Sequence, residues 1–298
     1  MKTSSVLSLV AVVTVVISLL SIWFYPSVHD FMAANTMWNG ISNFRDEFGA
    51  DYSDTLEDLP ELPENHVMVS IPYLEYGEED LAKISKFVTN GGILLLMDDY
   101  GYGNDILEYL GMDARFSNIP LLDPLFCFKN QWMPKITDFA GNIANQELEV
   151  VILNNATTLT GLSRAETLAY SSGASYLDSN ENESQSDNEP AGPFSVAGIL
   201  SVEKGLVILV SDPSVMISGM IGRDDNFRFI HSLVYMKGEP ESFLIDRSHL
   251  SKTPLDTSKI SLAGIREIVA NPYTLVGVIA LVFVVLSTYT IRKGETVG

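Results

Sequence analysis

The sequence LLLMDDYGYGN at residues 94–104 decides the predicted fold, because an apolar run ends abruptly in two aspartates and a glycine-rich turn. Residues 93–97 are uniformly apolar, which is typical of a strand buried on both faces of a sheet. A short helical pattern follows the turn. The stretch therefore predicts a strand, a tight turn and a helix, with Asp98 and Asp99 at the carboxyl end of the strand.

The preceding residues predict a parallel crossover. Residues 66–71 (HVMVSI) form a short apolar strand pattern, and residues 78–89 (EEDLAKISKFVT) form an amphipathic helix pattern with acidic residues in its first turn. Asn90-Gly-Gly then ends the helix before the second strand. This order predicts an α/β fold, a flavodoxin-like sandwich with a mainly parallel sheet covered on both faces.

Later residues add further elements to this sheet. Residues 194–202 and 205–211 are predicted to pair around a two-residue turn. The second of these strands runs into SDPS, where Asp212 is placed to cap a following helix. Residues 226–236 show a further amphipathic helix pattern.

Two uncharged segments lie near the ends of the sequence, at residues 6–25 and 273–291. Each is long enough to cross a bilayer core of about 30 Å, so we predict two transmembrane helices. Lys2 and Arg292-Lys293 favour a cytoplasmic location for both termini, with the main domain outside the cell membrane. A cleaved leader for the first segment and a reversed topology remain as alternatives. The predicted division is an anchor at 1–25, an extracytoplasmic domain at 26–272, a span at 273–291 and a tail at 292–298.

The charge balance restricts the partners. The chain has 298 residues with 18 basic and 38 acidic side chains, a net charge of −20. Such a surface repels nucleic acid, so the expected partners are the lipid bilayer and other membrane or envelope proteins. Residues 178–193 are almost entirely polar and predict a flexible insertion. Asn155 and Asn182 lie in N-x-S/T sequons and are candidate glycosylation sites.

Two catalytic interpretations of the turn fail. A dinucleotide-binding fingerprint would need a third glycine after Gly101 and Gly103, but that position is Ile106. A nucleophile elbow would need Ser or Cys where Asp98, Asp99 and Tyr100 stand. No catalytic residue is therefore predicted.

The aspartates leave two interpretations open. Asp98, Asp99 and Asp212 all follow apolar strands, and the carboxyl ends of parallel strands share one edge. Three carboxylates there would suit Ca²⁺ or Mg²⁺, whereas the alternative is that each aspartate holds a turn. His249 with Ser248 could approach the same edge and form a Ser-His-Asp set, although no spacing rule supports one.

Two blocks of sequence, FVTNGGILLLMDDYGYGN and SDPSVMISGMIGRDDNF, resemble an archaeal and bacterial membrane-anchored family with a domain of unknown function (family 4350 type). The resemblance implies a class I glutamine amidotransferase-like scaffold. The nucleophilic cysteine of that scaffold would belong in the turn at 98–101, where none is present, and Cys127 does not match it. The residues that match the family pattern are Asp98, Asp99, Tyr100, Gly101, Gly103, Asn104, Asp212 and Asn226.

Together these features predict a membrane-anchored, non-catalytic binding or interaction module in an envelope-associated complex. The alternative is a carboxylate- or metal-dependent hydrolase that uses Asp98, Asp99 and Asp212. No cofactor is expected apart from the Ca²⁺ or Mg²⁺ of that alternative. The predicted ligand-binding set is Asp98, Asp99, Tyr100, Gly101, Gly103, Asn104, Asp212, Asn226 and His249.

Overall fold

A computed structural model describes residues 3–25, 27–32, 34–143, 145–251, 253–259 and 261–262. The described residues divide into two compact units, one within residues 28–251 and the other formed by those before 28 and after 251. The α-helices are α1 (Thr3–Phe24), α2 (Ser42–Phe48), α3 (Glu78–Thr89), α4 (Gly103–Tyr109) and α5 (Asn226–Val234). Short 3₁₀ helices lie at Leu56–Asp58, Gly141–Ile143 and Pro213–Met216. The strands are β1 (Asp51–Ser53), β2 (His66–Ser70), β3 (Ile93–Met97), β4 (Arg115–Phe116), β5 (Leu121–Leu122), β6 (Lys135–Ile136), β7 (Asp138–Phe139), β8 (Val151–Ile152), β9 (Leu159–Thr160), β10 (Thr167–Tyr170), β11 (Tyr176–Leu177), β12 (Ser195–Val202), β13 (Gly205–Val210) and β14 (Ser242–Asp246).

The larger unit is built on a mixed sheet with the order β1-β14-β2-β3-β13-β12-β10-β7, and β9 joins β4 to β12. Pairing is parallel from β1 to β13 and antiparallel from β13 onward. The prediction of a mainly parallel sheet is therefore wrong. The physical reason is the tight turn at Glu203-Lys204, because a two-residue turn can join only antiparallel strands.

The predicted parallel crossover is confirmed. β2 and β3 are parallel, with Val67 opposite Ile93, and α3 connects them. Side chains of β3 alternate between two apolar cores: Leu95 packs in the core that contains α5, and Leu94 packs in the core that contains α3. The sheet is therefore covered on both faces, as the apolar strands predict.

The structure corrects the membrane prediction. A bilayer crossing needs about 20 apolar residues in one helix. Across the described residues no helix has the length and apolar character to cross a membrane. On this finding the predicted flanking transmembrane helices, the two-span topology and the membrane location are wrong. The segments at 273–291 and 292–298 lie outside the described residues.

The smaller unit contains α1 and a buried aspartate. Asp256 accepts a hydrogen bond from Ser27 Oγ at 2.7 Å through one oxygen, and from Thr253 Oγ1 at 2.5 Å through the other. Asp256 is only 4% exposed. This carboxylate therefore joins two segments of the unit that are distant in sequence.

Candidate functional site

The candidate site lies at the carboxyl ends of β3 and β13. These strands are parallel neighbours with Met97 opposite Val210, so the residues after them share one edge of the sheet. Asp98, Asp99 and Asp212 are all buried there, with exposures of 2%, 6% and 0%. The structure therefore brings together the three carboxylates that the sequence singled out.

Asp98 holds the turn between β3 and α4. Its Oδ1 accepts a hydrogen bond from Gly101 N, and its Oδ2 accepts one from Gly103 N, both at 2.7 Å. A Cβ on Gly101 would lie 2.2 Å from the carbonyl oxygen of Pro72, so only glycine fits this close approach. The glycines of the motif are explained by backbone packing and by the carboxylate that binds their amides.

Asn104 fixes the start of α4 to a distant segment. Its side-chain oxygen accepts from Phe116 N at 2.9 Å, and its Nδ2 donates to Phe116 O at 3.0 Å. The amide thus pairs with both backbone groups of one residue, as a neighbouring strand would.

The second strand end repeats this arrangement. Asp212 accepts from Ser214 N at 2.7 Å and from Asn154 N at 2.6 Å, using one oxygen for each. Asn226, at the start of α5, accepts from Ile152 N at 2.8 Å and donates to Ile152 O at 3.0 Å. At both strand ends an aspartate holds a turn and an asparagine binds the backbone of a residue that is distant in sequence. We call each of these pairs, Asp98 with Asn104 and Asp212 with Asn226, an aspartate–asparagine latch.

The third carboxylate, Asp99, is held by its own turn and lies near a tyrosine. Its Oδ1 accepts from Tyr100 N at 2.7 Å, and the Tyr73 hydroxyl lowers the pKa of this carboxyl. Tyr73 lies in the loop after β2 and was missed in the sequence, where an aromatic residue beside Pro72 gave no distinct signal.

Burial is the main influence on the pKa values of the cluster formed by Asp98, Asp99 and Asp212. Desolvation raises the pKa of Asp212 to about 8 and that of Asp98 to about 6, against the lowering effect of their backbone hydrogen bonds. Desolvation also raises the pKa of Asp99, and burial together with the nearby Asp99 raises the pKa of Tyr73. The cluster therefore carries less negative charge at neutral pH than three ordinary aspartates.

His249 belongs to a different hydrogen-bond network. Its Nδ1 lies 2.8 Å from Asp246 Oδ2 and 2.9 Å from Ser248 Oγ, and its Nε2 faces Asp80 Oδ2 at 3.6 Å. A nucleophilic serine would have to bond to the nitrogen opposite the one held by the aspartate. Here the serine and the aspartate share one nitrogen, and the ring stacks on Tyr76 at 3.7 Å. The arrangement is not that of a catalytic triad.

A metal site finds no support in the geometry. Within the part of the chain that the structure describes, no group of three or more His, Cys, Asp or Glu side chains is placed to hold a metal ion. Both oxygens of Asp98 and of Asp212 already accept backbone amides. The carboxylates at this edge are arranged to build turns.

The outer surface of the same edge is partly apolar. Leu74, Tyr100 and Tyr102 are 44%, 38% and 42% exposed, and we call them the strand-end face. The loops that carry them lie side by side, because Tyr102 N donates to the carbonyl of Pro72 at 2.8 Å. Neither Leu74 nor Tyr102 gave a distinct signal in the sequence.

Fold and site together define an α/β domain with a mixed sheet whose strand-end carboxylates secure turns. The chain belongs to the family described as Domain of unknown function (DUF4350), whose model matches residues 33–234. This confirms the family that the motif blocks indicated. It does not confirm the amidotransferase-like fold or the membrane anchoring.

One similar solved structure covers most of this chain. The structure titled mmIFT52 N-terminal domain has a TM-score of 0.54 and 10% identity, covering 71% of this chain and 94% of that one. This likeness concerns the fold alone. A β-galactosidase from Bacillus circulans sp. alkalophilus has a TM-score of 0.35 and 11% identity over 58% of this chain and 22% of that one, a similarity too low to indicate a shared fold. No curated protein sequence is significantly similar to this chain.

The remaining site predictions stay predictions. Asn155 and Asn182 are both exposed, and neither is tested as a glycosylation site. Ligand binding by the latch residues is likewise untested, as are the domain boundaries 26–272 and the flexible insertion at 178–193. In that insertion, both oxygens of Asp178 accept backbone amides of the loop.

Proposed function

We propose that this domain is a non-catalytic interaction module that binds a partner protein through the strand-end face. One observation carries the proposal: the strand-end carboxylates are engaged by backbone amides, while Leu74, Tyr100 and Tyr102 beside them are exposed. Exposed tyrosines on a firmly held backbone are typical of binding surfaces, since they offer large contact area at a low cost in side-chain entropy.

The rigidity of the face supports this proposal. Asp98 binds the amides of Gly101 and Gly103, which flank Tyr102, and the backbone of Tyr102 is bound to Pro72. A preorganised surface loses little conformational entropy on association. The latch therefore serves binding by fixing the turn that presents the tyrosines.

The hydrolase alternative has one observation in its favour, which is the raised pKa of Asp98 and Asp212. The hydrolase alternative conflicts with the low solvent accessibility of these two side chains. Asp212 is fully buried and Asp98 nearly so, and a general acid or base has to come within hydrogen-bond reach of its substrate. We therefore favour the interaction module.

A photo-crosslinking experiment on the full chain tests the proposed face. A photoreactive residue replaces Leu74, and the matched control places it at Leu62, which is 85% exposed in the loop before β2. We expect position 74 to crosslink one defined protein in native cell extract, and Tyr102→Ala to reduce that adduct about tenfold. Tyr109→Ala, which removes an equally exposed tyrosine at the end of α4, is expected to leave the adduct unchanged.

The same adducts from positions 62 and 74, or no defined adduct from position 74, would overturn the proposal. An adduct that is insensitive to Tyr102→Ala would also contradict it, because the tyrosine would then make no contact. Removing an exposed tyrosine is expected to change the free energy of unfolding by less than about 0.5 kcal/mol, so loss of folding would not explain a lost adduct.

A further inference from the structure

A cavity of about 310 Å³ lies close to Asp212 in the larger unit. We call it the Trp38 pocket. Asn154 lines it, and the backbone amide of Asn154 binds Asp212, so the pocket borders the second latch. The volume is that of a small-molecule site at the lower end of the usual range.

The wall of the pocket is apolar and only partly covered. Trp38 is 66% exposed, and Phe128 and Met133 are half-buried beside it. The backbone carbonyl of Trp38 accepts from Gly219 N at 2.8 Å, so the loop that carries the indole is fixed to the opposite side of the pocket. An exposed tryptophan that faces a cavity supplies an aromatic surface for a ligand.

Two cations stand at the same pocket. Lys129 Nζ lies 5.4 Å from the centroid of the Phe128 ring, and Arg223 Cζ lies 5.7 Å from it. In the described part of the chain neither forms a salt bridge with a carboxylate. Acidic residues outnumber basic ones by 38 to 18 in this chain, so two cations without acidic partners at one apolar pocket create a local site of opposite sign.

We propose that the Trp38 pocket binds a small aromatic carboxylate. The acid group pairs with Lys129 and Arg223, and the ring packs against Trp38. Charge complementarity selects the anion, and the apolar wall selects the ring. The limited volume favours a small molecule over a folded partner. This inference goes beyond the strand-end face, and neither depends on the other.

Calorimetric and ligand-observed NMR titrations of the full chain test the proposal, with naphthylacetate as the probe and naphthylacetamide as its neutral isostere. We expect saturable binding of the acid and about tenfold weaker binding of the amide. The double variant Lys129→Gln/Arg223→Gln is expected to weaken binding of the acid to the level of the amide. The matched control Arg164→Gln, at an exposed arginine in another loop, is expected to leave the affinity unchanged.

Equal affinity for acid and amide would overturn the proposal, because the cations would then contribute nothing. So would the absence of saturation at millimolar concentration, or equal losses in the double variant and in Arg164→Gln. Tyr102→Ala is expected to leave naphthylacetate binding unchanged, so a failure of the pocket and a failure of the strand-end face are separable.

Discussion

Replacement of Asn226 by alanine is expected to destabilise the domain by about 3–5 kcal/mol. The Asn226 amide is fully buried and makes three hydrogen bonds, to Ile152 N, Ile152 O and Met220 O. Alanine leaves these three backbone groups without their partner in a buried site, and each such loss costs about 1–3 kcal/mol. Urea unfolding of the wild type and the variant, analysed at equal m-values, measures the difference.

Asn188→Ala is the matched control, because Asn188 is exposed in a polar loop. It is expected to change the free energy of unfolding by less than about 0.5 kcal/mol. Asn226→Asp keeps the shape of the side chain but removes the donor to Ile152 O and Met220 O, so it is expected to be nearly as destabilising as alanine. A loss below about 1 kcal/mol for Asn226→Ala would show that the amide does not hold α5 to the segment at residue 152.

The second large effect is a loss of stability as the pH rises. Burial raises the pKa of Asp212 from its ordinary value of 3.8 to about 8, so between these values the folded state binds a proton that the unfolded state has released. The resulting stabilisation is complete below the unfolded pKa and is lost as the pH rises through the folded one. We expect Asp212 to contribute a decrease on the order of 5 kcal/mol in the free energy of unfolding between about pH 4 and about pH 9.

Urea unfolding at several pH values, for the wild type and Asp212→Asn, checks this expectation. The variant cannot ionise at residue 212, so its stability is expected to depend less steeply on pH, whatever its absolute value. Asp187→Asn, at an exposed aspartate, controls for general repulsion in an acidic protein and is expected to keep the wild-type slope. Identical slopes in the wild type and Asp212→Asn would contradict the assignment of a raised pKa to this carboxyl.

Local signals made the parallel half of the fold predictable. The strand-helix-strand unit from β2 to β3 follows from two apolar runs, an amphipathic helix and a glycine stop within about thirty residues. The antiparallel half was not predictable as a whole, because β4 to β9 are strands of two residues, too short for a periodic pattern. Strand order also depends on pairings between distant segments, which composition does not encode.

The site was predictable in position but not in role. The rule that parallel strands end at one edge brought Asp98, Asp99 and Asp212 together correctly. The groups that these side chains bind are distant in sequence: Asn154 lies 58 residues from Asp212, and Ile152 lies 74 residues from Asn226. The same rule predicted that His249 could lie near these aspartates, but its side chain forms hydrogen bonds with Asp246 and Ser248.

The central claim is that the strand-end carboxylates hold backbone turns and are not free for a ligand or a reaction. Amide hydrogen exchange in the isotope-labelled full chain tests it most directly. The account predicts slow exchange at Gly101 and Gly103, and Asp98→Asn is expected to speed exchange there by at least about tenfold while leaving Asn154 and Ser214 protected. Rapid exchange at Gly101 and Gly103 in the wild type would contradict the account, because the carboxylate of Asp98 would then be available for other chemistry.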